Sequence, residues 1–310
     1  MFRKFLLFLI ICCTTLQLSF AGKAGKAGWS IFRRARSAKF KPITVTPVMA
    51  VRGDLTGVFY NPGVLAMNIR KEIFFLSELG LTDDMFGGVV YGHPFKDSAV
   101  AAGLIYYDAG EIELNWIEDG ELESEEVSAQ KDLLVIASYG KKITANTCLG
   151  ITGKIATSKL VERESANAFA LDVGGLYLPK KYENLSITWA VQNLGISSKF
   201  VDKANPLPTS AFIGGGYWLD YKQYYITPGL DVTYLVADDR FVPEIGFEFG
   251  RDPVSANLGY RFSEEGAWHI GFTLLKKNYD IAYGFLPGIR LDSTHRISIG
   301  YRFGKEYGDK

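Results

Sequence analysis

Cysteine and histidine are scarce in this sequence, with three of each among 310 residues, and the scarcity excludes several kinds of site. Two of the cysteines, Cys12 and Cys13, fall in an N-terminal apolar segment, so Cys148 has no partner for an intramolecular disulfide in the rest of the chain. The histidines are isolated and lack the spacing of metal ligands: His93, His269 and His295. No nucleophile elbow or phosphate-binding loop is present. The sequence therefore predicts a protein that is not an enzyme, with no cofactor and no metal.

An excess of one charge is also missing, because 34 basic residues balance 34 acidic ones. A nucleic-acid-binding protein needs a strong basic excess, so nucleic acid is not expected as a partner. Long hydrophobic runs are missing too: after residue 21 no stretch approaches the 18 consecutive apolar residues of a transmembrane helix. A membrane protein without such helices has to cross the bilayer as a β-barrel.

The first 21 residues have the pattern of a secretory signal peptide. Arg3 and Lys4 precede an apolar run over residues 5–11, and Ser19 and Ala21 are small residues at the positions expected of a cleavage site. An uncleaved membrane anchor is one alternative, although the apolar run is short for it. A lipoprotein modified at Cys12 is another, although the residue before Cys12 is bulky.

Residues 22–48 form a basic N-terminal leader, which we interpret either as mobile or as a contact with anionic lipid or a partner. Its cations begin at Lys23 and continue to Lys41, and no acidic residue interrupts them. Residues 49–70 have turn chemistry, with Gly53-Asp54 and Asn61-Pro62-Gly63.

From Lys71 onward apolar and polar residues alternate with a period of two, which is typical of strands that have two chemically different faces. The predicted fold is all-β: a single antiparallel transmembrane β-barrel of about 14 strands over residues 71–304, with an N-terminal plug-like segment at 49–70 and a C-terminal tail at 305–310. The predicted strands are 71–80, 86–95, 98–108, 131–142, 146–158, 166–179, 184–194, 209–219, 223–235, 241–250, 254–262, 267–276, 278–287 and 294–303.

The predicted connections are short after even-numbered strands and tend to be longer after odd-numbered ones, notably at 109–130 and 195–208. Outer-membrane barrels have short periplasmic turns and longer outer loops, so this parity predicts the bacterial outer membrane with both termini in the periplasm. The acidic stretch at 111–126 is interpreted as a solvated outer loop, with a cation site as the less favoured alternative.

A soluble β protein with its apolar face inward is the main alternative to a barrel. Export, long strands and aromatic residues near strand ends favour the barrel, whose candidate interfacial aromatics are Trp116, Trp189, Trp218, Trp268, Tyr217, Tyr279 and Tyr301. In a barrel the polar face lines the lumen, and we expect a network of paired charges there: Asp172, Asp231, Glu244, Glu248, Arg261, His269, Asp280, Arg296 and Arg302. This network either fills the barrel structurally or serves conduction or ligand binding.

Several segments resemble the PorV/PorQ family, which is related to the FadL-type transporters of hydrophobic compounds. Residues 53–66 resemble the family's N-terminal Asn-Pro signature, and 170–177 and 190–195 resemble its middle strands. Residues 206–209 and 280–304 fit the approach to a strand and the closing strands.

The resemblance implies a 14-stranded outer-membrane barrel, made with the help of the outer-membrane assembly machinery, whose Asn-Pro segment folds into or against the lumen. Two functions follow from it: binding or passing a small hydrophobic compound, or binding secreted cargo in the type IX secretion system. A purely structural barrel is the third possibility. For the first function, the expected side of a hydrophobic pocket is Phe59, Tyr60, Asn61, Pro62, Val64 and Leu65.

Overall fold

The computed structural model describes residues 27–34, 37–39, 55–79, 84–200, 204–263, 267–288 and 293–307. The predicted signal peptide at 1–21 and the first part of the plug-like segment, 49–54, lie outside the described residues. Among the residues it covers, no helix combines the length and apolar character that crossing a bilayer requires.

The described chain is almost entirely antiparallel β-structure. Its strands are β1 (Lys71–Leu79), β2 (Met85–Pro94), β3 (Ser98–Asp108), β4 (Glu111–Glu118), β5 (Glu121–Ser128), β6 (Gln130–Thr144), β7 (Thr147–Leu160), β8 (Glu164–Tyr177), β9 (Leu185–Ser197), β10 (Ser210–Tyr217), β11 (Leu219–Tyr221), β12 (Tyr224–Leu235), β13 (Arg240–Arg251), β14 (Val254–Arg261), β15 (Ala267–Lys276), β16 (Tyr279–Leu286) and β17 (Thr294–Phe303). Three short 3-10 helices precede them: η1 (Ser30–Phe32), η2 (Leu55–Phe59) and η3 (Pro62–Met67).

Fourteen of these strands form a closed barrel wall, which confirms the predicted fold class. Each wall strand pairs with its neighbours along the chain, and β1 closes the barrel by pairing with β17, from Lys71 opposite Phe303 to Leu79 opposite His295. Closure leaves no free sheet edge in the wall, so its backbone groups are satisfied within the ladder.

The other three strands are additions that the sequence analysis did not foresee. The acidic stretch interpreted as a loop is a two-stranded hairpin, β4–β5, which continues the β3–β6 pair beyond the wall. Trp116 belongs to this hairpin, so its assignment to an interfacial girdle of the wall is wrong. The short β11 pairs with the start of β12 and extends the line of β10.

The outward face of the wall is apolar, as the alternation predicts. Every wall strand contributes a large hydrophobic side chain that is between 36% and 61% exposed: Phe75, Tyr91, Leu104, Val135, Ile151, Phe169, Trp189, Ile213, Leu230, Phe247, Leu258, Phe272, Ile281 and Ile299. The predicted charged residues lie on the inner face instead. A wall that is apolar outside and carries charges inside has the arrangement of a transmembrane barrel and not of a soluble one.

The two ends of the barrel differ in their connections. At one end, called here the turn end, lie the turns β2–β3, β6–β7, β8–β9, β11–β12, β13–β14 and β15–β16; the opposite end is the loop end. The predicted parity of lengths is less regular than expected, because the β8–β9 turn spans residues 178–184 whereas the β7–β8 loop spans only 161–163. Strand β1 begins at the turn end, and strand β17 ends there.

The inner faces of the first and last wall strands are chemically different. In β1–β3 and β6–β8 the inner face is largely apolar or small, with Phe74, Phe86 and Ile105 in one hydrophobic cluster with residues of η1 to η3. In β12–β17 the buried inner residues are mostly polar, such as Asp231 and Asn257. The inner face of the first six strands therefore combines an apolar cluster with a few charged residues, whereas that of the last six is mostly polar.

Candidate functional site

Helices η2 and η3 occupy the lumen at the turn end and press against glycines of the wall. A Cβ atom at Gly150 would overlap the backbone of Pro62, and one at Gly174 would overlap the Asn61 side chain. A Cβ at Gly140 would lie 2.7 Å from the backbone nitrogen of Ala66. Glycine at these wall positions permits a close approach of two backbones that any side chain would prevent.

Asn61 fixes η3 to the wall. Its Nδ2 donates hydrogen bonds to the Gly175 carbonyl oxygen, at 2.9 Å, and to the Thr188 hydroxyl. Its Oδ1 accepts a hydrogen bond from the Gly63 backbone nitrogen, so Asn61 also caps η3, with Pro62 in the first turn. The side chain is fully buried, and one residue thus both starts the helix and fixes its position against β8 and β9.

The six residues expected to form one pocket divide into two groups. Phe59 and Tyr60 line a lumen cavity, and the Phe59 ring also packs 6.0 Å from that of Phe74. The other four are buried and do not line that cavity: Asn61, Pro62, Val64 and Leu65.

The described part of the basic leader lies inside the barrel. The Gly28 backbone nitrogen donates to the Pro206 carbonyl oxygen at 3.2 Å, and the Trp29 ring lies 5.7 Å from that of Phe200. Arg34 contacts Glu78 at 3.2 Å and stands 3.7 Å above the Tyr107 ring. Residues 27–34 of the leader thus contact the loop end of the wall.

Ion pairs join Lys39 of the leader to the strands that close the barrel, β16 and β17. Lys39 Nζ lies 2.7 Å from Asp280 Oδ2, and Arg302 Nη2 lies 3.3 Å from the same oxygen. Arg302 also reaches Glu72 at 3.4 Å, across the β1–β17 seam where the barrel closes. Buried charges of this kind require such partners, because an isolated charge in the interior is costly.

All nine residues predicted for the lumen network lie on the inner face, where several of them form ion pairs or hydrogen bonds. Asp172 pairs with Lys154 at 2.5 Å, Arg261 with Glu244 at 3.3 Å, and Arg296 with Glu78 at 2.5 Å. The Tyr225 hydroxyl donates to Glu248 at 2.7 Å. The remaining members are Asp231, which lies opposite Glu244 in the register, and His269, Asp280 and Arg302.

Sequence reasoning missed several charged members of the lumen, among them Lys39, Glu72, Glu78, Asp132 and Lys154. Glu72 and Glu78 lie on β1, where Phe74 and Leu76 share their inner face, so alternation gives no clear signal. Lys154 did have a signal, because it is the lone cation on the inner face of β7 between the outward Ile151 and Ile155.

A cavity of about 510 Å³ extends from the loop end into the barrel, beside the described residues of the leader. Phe32, Phe59 and Tyr60 contribute apolar surface to it. Its charged lining is Arg33, Arg34, Lys39, Asp238, Arg240, Glu244, Arg261 and Arg296. The volume lies in the range of small-molecule sites, and the lining combines a few aromatic side chains with a larger number of charged and polar ones. Within the described ranges no cluster of three histidine, cysteine, aspartate or glutamate residues is arranged to hold a metal ion.

Comparison with known proteins shows the fold. No protein-family model and no curated protein matches this sequence. Among solved structures, the chain is similar to the Pseudomonas putida toluene transporter TodX, with a TM-score of 0.62 and 11% identity over 81% of this chain and 94% of that one.

Two further structures share the architecture. The Ralstonia pickettii toluene transporter TbuX has a TM-score of 0.55 and 12% identity over 80% of this chain and 94% of that one. A Pseudomonas aeruginosa FadL homologue has a TM-score of 0.51 and 9% identity over 81% of this chain and 95% of that one. At these identities the likeness shows the fold that the chain shares with these structures, a closed antiparallel barrel of 14 strands.

Proposed function

We propose that this protein is an outer-membrane β-barrel that binds or passes a small hydrophobic compound through the lumen cavity. The observation that carries the proposal is the pair Phe59 and Tyr60, which the plug presents to a cavity of about 510 Å³ inside the wall. Burial of an aromatic ring against such a surface contributes about 25 cal/mol per Å² of apolar area.

The outer-membrane location rests on the apolar outward face and the inward charges, which suit a hydrocarbon surrounding. Short turns of outer-membrane barrels face the periplasm, so the turn end is proposed to be periplasmic and the loop end external. In this orientation the cavity opens to the outside, and η3 blocks the periplasmic end on the side of β6, β7 and β8. The similar structures are two toluene transporters and a FadL homologue, which supports a hydrophobic compound as the ligand.

A second candidate is the binding of a secreted protein at the loop end, as the PorV/PorQ resemblance implies. The hairpin β4–β5 favours it, because it projects beyond the wall and exposes Ile117 at 77% and Leu122 at 74%. Binding of a secreted protein needs neither the cavity nor Phe59. A substitution of Phe59 therefore separates the two candidate functions.

The test compares two substitutions in the plug, Phe59→Ala and Leu65→Ala. Phe59→Ala removes apolar surface from the cavity, and we expect it to lower toluene accumulation in expressing Gram-negative cells about tenfold. Leu65→Ala is the matched control, since it also shortens a buried plug side chain but lies outside the cavity lining. Expression is equalised by the heat-modifiable band of the folded barrel on a gel. Equal accumulation in the two variants and the unchanged protein would exclude the cavity as the hydrophobic site.

A further inference from the structure

The turn end of the barrel carries a rim of positive charge. Each of its six turns, counted with the adjoining strand ends, contributes at least one cation: Lys96, Lys141, Lys142, Lys180, Lys181, Lys222, Arg251, Lys276 and Lys277. Most of them are exposed, and none forms an ion pair with a described carboxylate. The same turns carry four carboxylates, Asp97, Glu183, Asp220 and Asp252, so nine cations against four give a net positive field that decays over about 8 Å at physiological ionic strength.

The loop end has the opposite charge. The β4–β5 hairpin and its tip carry eight carboxylates and no cation: Glu111, Glu113, Glu118, Asp119, Glu121, Glu123, Glu125 and Glu126. The barrel therefore has a basic end and an acidic end, while the net formal charge of the full 310-residue chain is zero. An anionic surface is attracted to the turn end alone.

Within the basic rim, the β6–β7 and β8–β9 turns enclose a groove of about 570 Å³. Two hydrogen bonds hold the turns together: Asn146 Nδ2 donates to the Leu178 carbonyl oxygen, and the Leu178 backbone nitrogen donates to the Asn146 carbonyl oxygen, each at 2.8 Å. The groove is thus part of the folded wall, because its two sides are joined to each other as well as to their strands.

The groove has the groups that recognise a phosphate beside an apolar surface. Lys180 and Lys181 supply two ammonium groups, and Lys181 Nζ lies 5.5 Å from the centre of the Tyr182 ring. Tyr177 and Tyr182 are 46% and 41% exposed and give the groove amphipathic walls. Glu183 is the one carboxylate of the 178–184 turn and does not line the groove.

The groove continues into the apolar outward face. Tyr177 pairs with Thr147, and further along β7 and β8 lie Leu149 and the opposed pair Ile151 and Val173, each between 38% and 45% exposed. A molecule with a phosphate in the groove therefore has a hydrocarbon-like track directly beside it. This juxtaposition is the chemistry of a phospholipid: an anionic headgroup beside acyl chains.

We infer that the groove between the β6–β7 and β8–β9 turns binds the headgroup of an anionic phospholipid, whose acyl chains lie along β7 and β8. The inference rests on the proposed membrane location. The lysine rim attracts anionic headgroups to the whole turn end. Lys180 and Lys181 make this groove the position at the turn end that binds a headgroup most tightly.

The experiment uses the full mature barrel in detergent micelles, titrated with phosphatidylglycerol or phosphatidylcholine and read by native mass spectrometry. We expect tighter binding of phosphatidylglycerol, and a loss of about 30-fold in K180Q/K181Q, since each lysine contributes about 1 kcal/mol to binding an anionic lipid surface. K276Q/K277Q is the matched control because it removes an exposed lysine pair from another turn. We expect it to change the affinity less than threefold, and K180R/K181R to retain binding.

Equal binding of the two lipids, or equal losses in the two glutamine variants, would overturn the groove as a specific site. Displacement of the lipid by an equal concentration of glycerol phosphate would overturn a phospholipid as its occupant. Heat-modifiable mobility is measured on every variant. A protein without it fails as a barrel, which overturns the proposed function and is distinct from a folded barrel that ignores phosphatidylglycerol.

Discussion

The first six wall strands, β1–β3 and β6–β8, bury a hydrophobic cluster on the inner face together with a few charged residues, whereas the last six, β12–β17, bury mostly polar and charged ones. Phe74, Phe86 and Leu134 of the first group share a hydrophobic cluster with plug residues. Asp231 and Glu248 of the second group lie on an inner face without such a cluster. One barrel thus contains two kinds of interior.

The difference shows that the plug is held by close packing against the first six strands, whereas Lys39 of the leader contacts the last six strands through charge. On the first six strands, glycines such as Gly150 let the backbone of η3 touch the wall, and close packing makes that contact intolerant of added volume. On the last six strands, contacts such as Lys39 with Asp280 are polar, and the cavity reaches several of the neighbouring charges. The two sides should therefore respond differently to mutation.

The largest effect is expected for Gly150→Leu in the packed half. The added side chain collides with Pro62, so either η3 or the wall has to move, and we expect a loss of about 3 kcal/mol in the free energy of unfolding. Gly153→Leu on the same strand is the control, because its nearest contact is 4.0 Å away, at the Ala137 carbonyl oxygen. Urea titration of both reconstituted variants measures the difference. Equal stability of the two would show that the plug does not press on the wall.

A smaller effect is expected for Asn61→Ala, which keeps the packing but removes the polar contacts. Loss of the hydrogen bonds to Gly175 and Thr188 inside a buried contact should cost about 2 kcal/mol. Asn167→Ala removes an exposed asparagine of β8 and should change the free energy of unfolding by less than about 0.5 kcal/mol. Urea titration again provides the measurement, and an Asn61→Ala barrel as stable as the Asn167→Ala one would remove Asn61 from the plug contact.

The smallest effect is expected for Glu244→Gln in the charged half. The change removes the attraction between Glu244 and Arg261, whose side chain is 44% exposed. It also removes the repulsion between Glu244 and Asp231, which lies directly opposite Glu244 on the neighbouring strand. These contributions oppose each other, so we expect a change below about 1 kcal/mol, measured by urea titration at low and high salt. A loss in the free energy of unfolding as large as that of Gly150→Leu would mean that both halves of the wall are equally intolerant of substitution, which would contradict the difference between them.

The wall was predictable because its signal is local. A period of two records on which side of the strand each residue lies, and all fourteen predicted strands occur within a few residues of their predicted ends. The hairpin β4–β5 was not predicted: Ile112, Leu114 and Trp116 alternate with polar residues along β4, but the acidic composition of the stretch was interpreted as that of a solvated loop. The β1 strand was predicted, but Phe74 and Leu76 on its inner face concealed Glu72 and Glu78 as lumen charges.

The site was predictable only in part, because it is made by segments far apart in the chain. The turn chemistry of Asn61-Pro62-Gly63 marks a helix start, but its contact with Gly150 and Gly174 depends on closing the barrel. Similarly, Lys39 meets Asp280 from 241 positions away. Sequence spacing gives no information on such distances.

The sequence by itself determined which residues face out of the wall and which face in, because side chains alternate strictly along an extended strand. The tertiary structure decided what the inward residues meet. Barrel closure placed the plug against the first six strands and left a cavity beside the charged side chains of the last six. Only those contacts separate Phe59, which lines the cavity, from Leu65, which does not.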